Sequence, residues 1–89
     1  MNREDAEALS ILFLQIASRL DQSAAFVRDK ETKENWDKYR HAVGHVMAAV
    51  SLDLAEPLWA RHPDLRPQQL GGPYQVDPQI YRPFFYDPT

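Results

Sequence analysis

Cysteine is absent from this chain of 89 residues, which excludes disulfide bonds and thiolate metal sites. Long apolar runs are also missing: runs such as residues 11–14 are far too short to cross a membrane, so we expect no membrane segment. The first five residues are polar and acidic, unlike the basic start of a secretory signal. These absences predict a cytoplasmic protein.

Positive charge is scarce as well. The formal net charge is -3, with seven basic and ten acidic side chains in residues 1–56 and three of each in residues 57–89. A basic stripe supplies most of the affinity of a protein for nucleic acid, and neither part of the chain has one. We therefore expect no nucleic-acid partner.

Proline is missing from the first 56 residues, whereas all seven prolines lie in the remaining 33. The length allows one small domain at most. The change in composition predicts a helical segment over residues 1–56 and a tail rich in proline and aromatic residues over residues 57–89.

The first helix is predicted over residues 3–28. Asn2 is a good N-cap, and the acidic residues that follow it suit the positive end of the helix dipole. Apolar residues then recur at steps of three or four, which places them on one face of a helix. This stripe contains Leu9, Phe13, Ile16, Leu20, Ala24 and Val27.

The second helix is predicted over residues 33–56, because Pro57 should end or kink it. Its stripe contains Trp36, Tyr39, Val43, Val46, Met47, Val50 and Leu54. Residues 28–35 between the stripes have no apolar side chain, and Asp29 or Thr32 would cap the second helix. Two helices of similar length with a short polar connection predict an antiparallel helical hairpin. Since the connection lacks glycine and proline, one long helix is the alternative.

A hairpin of two helices cannot bury its own apolar faces well. Ile11 and Leu14 add to the excess because they lie away from the main stripe of the first helix. Either the tail or a second copy of the chain would cover these surfaces. We expect an all-α homodimer in which two hairpins form a four-helix bundle.

The tail has a repeat of about five residues from Gly72 onwards, with proline second and a large apolar residue fifth in each unit. Six of the ten aromatic residues lie in the tail, which is too much apolar surface for a solvated disordered segment. We expect the tail to pack on the bundle, in its own chain or across the dimer; capture of an outside protein partner is the alternative. The expected anchors are Trp59, Tyr74, Tyr81, Phe84, Phe85 and Tyr86.

Two histidines form the one candidate metal site. His41 and His45 are one helical turn apart, a spacing at which two imidazoles can bind one zinc or nickel ion. They lie opposite the apolar stripe of the second helix, where exposed histidines without a ligand are common. A third ligand would have to come from the tail or from a second copy.

Catalytic motifs are not found: no serine lies in a glycine-flanked elbow, and the one glycine pair precedes proline rather than a phosphate-binding Lys-Ser or Lys-Thr. We expect neither a cofactor nor enzymatic activity from this chain alone. The sequence predicts a small soluble interaction or regulatory module that acts through homo-oligomerisation and partner binding. The alternatives are a metal- or small-ligand-binding bundle and an auxiliary subunit of a larger enzyme.

Overall fold

A computed structural model describes residues 1–88, which are mostly helical and contain no β-strand. Helix α1 spans Arg3–Lys30 and helix α2 spans Lys33–Ala49, and these two long helices pack against each other. The predicted all-α class is confirmed. Thr89, the last residue of the predicted tail, lies outside the described residues. None of the helices within residues 1–88 is long and apolar enough to span a membrane.

Side-chain caps set the beginnings of both helices. The Asn2 side chain accepts a hydrogen bond of 2.7 Å from the backbone N–H of Asp5, and Thr32 accepts one of 3.3 Å from Asn35. Thr32 is therefore the cap of α2, rather than Asp29, and α1 runs two residues beyond its predicted end at residue 28. Glu31 and Thr32 both have extended backbone angles, so the chain reverses without glycine.

The helical path does not stop before Pro57. A π-helical segment over Val50–Ala55 leads directly into helix α3, which spans Glu56–Arg61. In this segment the N–H of Glu56 donates to the carbonyl of Ser51, five residues back. Proline has no N–H, and in an α-helix its ring crowds the carbonyl four residues earlier. The wider π turn gives Pro57 room, so the path continues to Arg61 rather than ending at residue 56.

The core lies at one end of the hairpin, where the first half of α1 meets α3 and the start of the tail. The core contains one polar contact: Trp59 Nε1 donates a hydrogen bond of 2.9 Å to Ser10 Oγ, and both residues are buried. A 3-10 helix, Pro63–Leu65, follows α3 and adds the fully buried Leu65. The cluster contains Ala6, Phe13, Ala55, Leu58, Trp59 and Leu65.

A tight turn then directs the chain towards α1. Around the 3-10 helix Gln68–Leu70, the N–H of Tyr74 donates to Arg66 and the N–H of Gln68 donates to Tyr74, each at 3.0 Å. Gly71 has a φ of 87°, which favours glycine. A Cβ on Gly72 would lie 2.0 Å from the carbonyl oxygen of Arg66, so only glycine fits there.

Replacing Gly72 with alanine should lower the free energy of unfolding by about 1–3 kcal/mol, because the added methyl group has to push the backbone of Arg66 away. Urea unfolding followed by circular dichroism measures the loss. The matched control is Gly44→Ala on α2, where the new Cβ meets nothing within 4 Å and alanine favours the helix. Equal stability of Gly72→Ala and the unaltered protein would contradict the close approach.

Candidate interaction surfaces

The tail lies along α1 of its own chain and runs in the same direction as that helix. Near its start, Tyr74 Oη donates a hydrogen bond of 2.7 Å to Glu7 Oε2. Two turns further along α1, Gln15 Nε2 donates one of 2.9 Å to the carbonyl of Ile80, in the 3-10 helix Pro78–Tyr81. Because these contacts advance together along both segments, the tail forms a strap over the outer side of α1. We call residues 77–88 the strap.

The second half of the strap is held by hydrogen bonds between its backbone groups and side chains of α1. Arg19 Nη2 donates a hydrogen bond of 3.1 Å to the carbonyl of Pro83. Gln22 Oε1 accepts two more, from the N–H groups of Phe85 at 2.6 Å and Tyr86 at 3.1 Å. A backbone without regular secondary structure needs such partners, and α1 supplies them from its side chains.

The strap ends on an aromatic cluster near the C-terminus of α1. The Phe26 ring meets the rings of Phe85 and Tyr86 edge-on, with centroids 5.4 and 5.3 Å apart. Tyr86 Oη donates a hydrogen bond of 2.6 Å to Asp29 Oδ2. This bond, together with the neighbouring Arg28, lowers the pKa of Asp29, and the same bond raises the pKa of Tyr86. The tyrosine hydroxyl therefore stays a donor and the carboxylate an acceptor.

The strap-binding side chains of α1 were not recognised from the sequence. They follow one another at multiples of three or four residues, on the side of the helix away from the apolar stripe. A polar row of this spacing, with amides that both donate and accept, is the signal that could have revealed a docked backbone. The polar row contains Gln15, Arg19, Gln22 and Asp29, and Phe26 of the aromatic cluster lies on the same side of α1.

The structure distributes the predicted anchors over three environments. Trp59 is buried in the core of its own chain. Five others are half-buried: Ile11 and Leu14 on α1, and Tyr74, Tyr81 and Tyr86 in the tail. Phe84 and Phe85 are exposed, with 45% and 57% of their surface accessible.

Leu14 links α1 to the tail. It packs against the core cluster and also lines a shallow groove together with Tyr81 and Phe84. Of the two residues predicted to need a second cover, Leu14 therefore lies next to residues of the tail.

An apolar groove remains open on another side of α1. It has a volume of about 500 Å³ and is lined by Leu12, Gln15, Ile16, Arg19, Leu20, Ser23 and Phe85. Leu12 is 46% exposed. On this side, Tyr39 Oη of α2 donates a hydrogen bond of 2.8 Å to Ser23 Oγ. Val46 lies two turns after Tyr39 on the same side of α2, and it is 49% exposed.

The two histidines lie together on an exposed part of α2. Their Nε2 atoms are 3.1 Å apart, and the rings meet edge-on with centroids 4.7 Å apart. Within residues 1–88, no group of three or more histidine, cysteine, aspartate or glutamate side chains is placed to hold a metal ion. The tail of the same chain therefore brings no third ligand of these types to His41 and His45.

No protein-family model, no curated protein sequence and no solved structure matches this chain.

Proposed function

We propose that this chain is a small interaction module that associates with a second copy of itself through one face of the helical hairpin. We call this surface the hairpin face and define it by Leu12, Ile16 and Leu20 of α1 and Val46 of α2. The proposal gives a homodimer in which four long helices pack as a bundle.

The observation that carries the proposal is the one-sided position of the core. Six of the seven buried hydrophobic residues belong to the cluster at the α3 end, and Val43 is the seventh. The rest of the hairpin has long apolar stripes whose members, such as Ile16, Leu20 and Met47, are only half-buried. A second layer over this half would bury the stripes, as in other helical bundles.

The occupant we propose is a second copy rather than the tail. The strap is already hydrogen-bonded to α1 at Gln15, which lines the groove, and at Gln22, and its Phe85 forms part of the groove lining. Arg19, the cation at the groove edge, donates a hydrogen bond to the carbonyl of Pro83. The lining of the groove is mostly apolar and has no acidic group, so two copies related by a twofold axis would not bring carboxylates together.

Contact with a further protein is the second part of this proposal. Phe84 and Phe85 are the most exposed aromatic residues of the strap, and large aromatic side chains commonly anchor protein interfaces. The module would then combine self-association through the hairpin face with partner binding at the end of the tail.

Light scattering coupled to size exclusion should give twice the mass of one chain for the unaltered protein at micromolar concentration. Leu12→Glu and Val46→Glu should each give the mass of one chain, because the interface would have to bury a carboxylate. Both positions are about half exposed, so the change leaves the fold intact. Circular dichroism checks that the helices are retained.

Leu70→Glu is the matched control, because Leu70 is equally exposed at 49% but does not line the groove. It should leave the dimer unchanged. A well-folded unaltered protein with the mass of one chain would refute self-association. A dimer disrupted by Leu70→Glu but not by Leu12→Glu would refute the hairpin face.

A further inference from the structure

The side chains of His41 and His45 bring one nitrogen of each imidazole within hydrogen-bond distance of the other. Their Nε2 atoms are 3.1 Å apart, and both side chains are exposed on α2. From this geometry we propose that the pair chelates one divalent transition-metal ion, with Cu²⁺ bound most tightly. The site is independent of the hairpin face and of the strap.

The distance between the nitrogens fits a single ion. With metal–nitrogen bonds of about 2.0–2.1 Å, a separation of 3.1 Å corresponds to an angle of about 100° at the metal. This angle lies between the 90° of a tetragonal site and the tetrahedral angle. Imidazole suits copper, nickel and zinc, and the Irving–Williams order places Cu²⁺ above Ni²⁺ and Zn²⁺. Cu²⁺ is therefore the ion that we expect to bind with the highest affinity.

Metal binding requires one proton to move. At 3.1 Å the two Nε2 atoms are within hydrogen-bond distance, and a hydrogen bond between them needs a proton on one Nε2 and a lone pair on the other. Chelation needs both lone pairs on Nε2, and the protonated ring must therefore adopt its Nδ1–H tautomer. The ion then takes the place of the proton between the two Nε2 atoms, and the proton moves to Nδ1 of the same ring.

The surroundings leave the other positions on the metal open. Gly44 lies between the histidines, and a Cβ there would meet nothing within 4 Å. Asp37, which lines the same shallow depression as the two histidines, is paired with Lys33 Nζ at 2.8 Å and Arg40 Nη2 at 3.5 Å. Lys33 and the other ion pairs of Asp37 lower its pKa, which keeps it ionised and paired. Water or a ligand from outside the chain would complete the coordination.

The test is a titration of the full chain with CuCl₂ alone in a buffer that does not bind copper, followed by calorimetry. The unaltered protein should bind one Cu²⁺ per chain at this site, and His41→Ala or His45→Ala should weaken the affinity tenfold or more. Electron paramagnetic resonance should show coordination by two nitrogens, reduced to one in either variant. The affinity should fall when NiCl₂ or ZnCl₂ replaces CuCl₂.

Two controls separate chelation from binding elsewhere. His62→Ala removes the third histidine and should leave the affinity unchanged. The double variant His45→Ala, Ala48→His keeps the number of histidines but moves one to a seven-residue spacing, about 10 Å along the exposed side of α2, so it should bind as weakly as His45→Ala. Unchanged affinity in His41→Ala, or no binding to the unaltered protein, would overturn the proposal.

Discussion

Replacing Trp59 with alanine should lower the free energy of unfolding by about 3–5 kcal/mol. The indole is 4% exposed, and its removal leaves a large cavity between α1 and α3. The change also takes away the hydrogen-bond donor to Ser10, whose hydroxyl is 1% exposed. Since small domains unfold with a free energy of about 5–15 kcal/mol, this loss is a large part of the total. Urea unfolding followed by circular dichroism measures it.

The other tryptophan is the matched control. Trp36 is half-buried on α2, with the guanidinium of Arg40 5.8 Å from its ring centre. Trp36→Ala should therefore cost clearly less than Trp59→Ala. Trp59→Phe should fall between the two, because it keeps an aromatic ring but loses the bond to Ser10. Equal losses at Trp36 and Trp59 would show that the core is not centred on α3.

Shortening the tail should have the second large effect. A chain that ends at His62 lacks Leu65 and Pro67, both fully buried, as well as the whole strap. Loss of a buried leucine side chain alone costs about 2–5 kcal/mol, so this chain should be much less stable than the full one. A chain that ends at Gln75 keeps Leu65, Pro67 and the Tyr74–Glu7 bond, and its stability should be intermediate.

The two shortened chains together test whether the strap belongs to its own chain. Full-length protein, the chain ending at Gln75 and the chain ending at His62 should unfold at successively lower temperatures. If the chain ending at Gln75 is as stable as the full chain but no longer captures a protein from a native lysate, the strap serves a partner instead. Light scattering on the same samples separates loss of stability from loss of self-association.

Helix positions could be predicted closely from the sequence because they depend on local periodicity and capping. Three features act over a few neighbouring residues: the apolar stripe through Phe13 and Ile16, the cap at Asn2, and the absence of apolar side chains from residues 28–35. The path beyond Pro57 was not predictable in the same way. A proline normally ends a helix, and the π segment that accommodates it depends on how Ala55, Leu58 and Trp59 fit the core.

The side chains of α1 that bind the strap could not be predicted from the sequence either. Gln15 and Gln22 read as ordinary polar positions on a solvated face, since nothing local marks them as acceptors or donors for a distant backbone. Their partners, Ile80, Phe85 and Tyr86, lie more than 60 residues away. Only the folded chain brings the two segments into register.

The sequence by itself determined that residues 1–56 are helical, that the chain can reverse near Thr32, and that a tail without glycine beyond Gly72 carries the surplus of aromatic side chains. Composition, periodicity and caps decide these features because they act within one or two turns. The tertiary structure decided that Trp59 is part of the core, that the strap follows α1, and that the hairpin face stays open. These depend on contacts between residues far apart in the chain, whose apolar and hydrogen-bonding groups find partners only after folding.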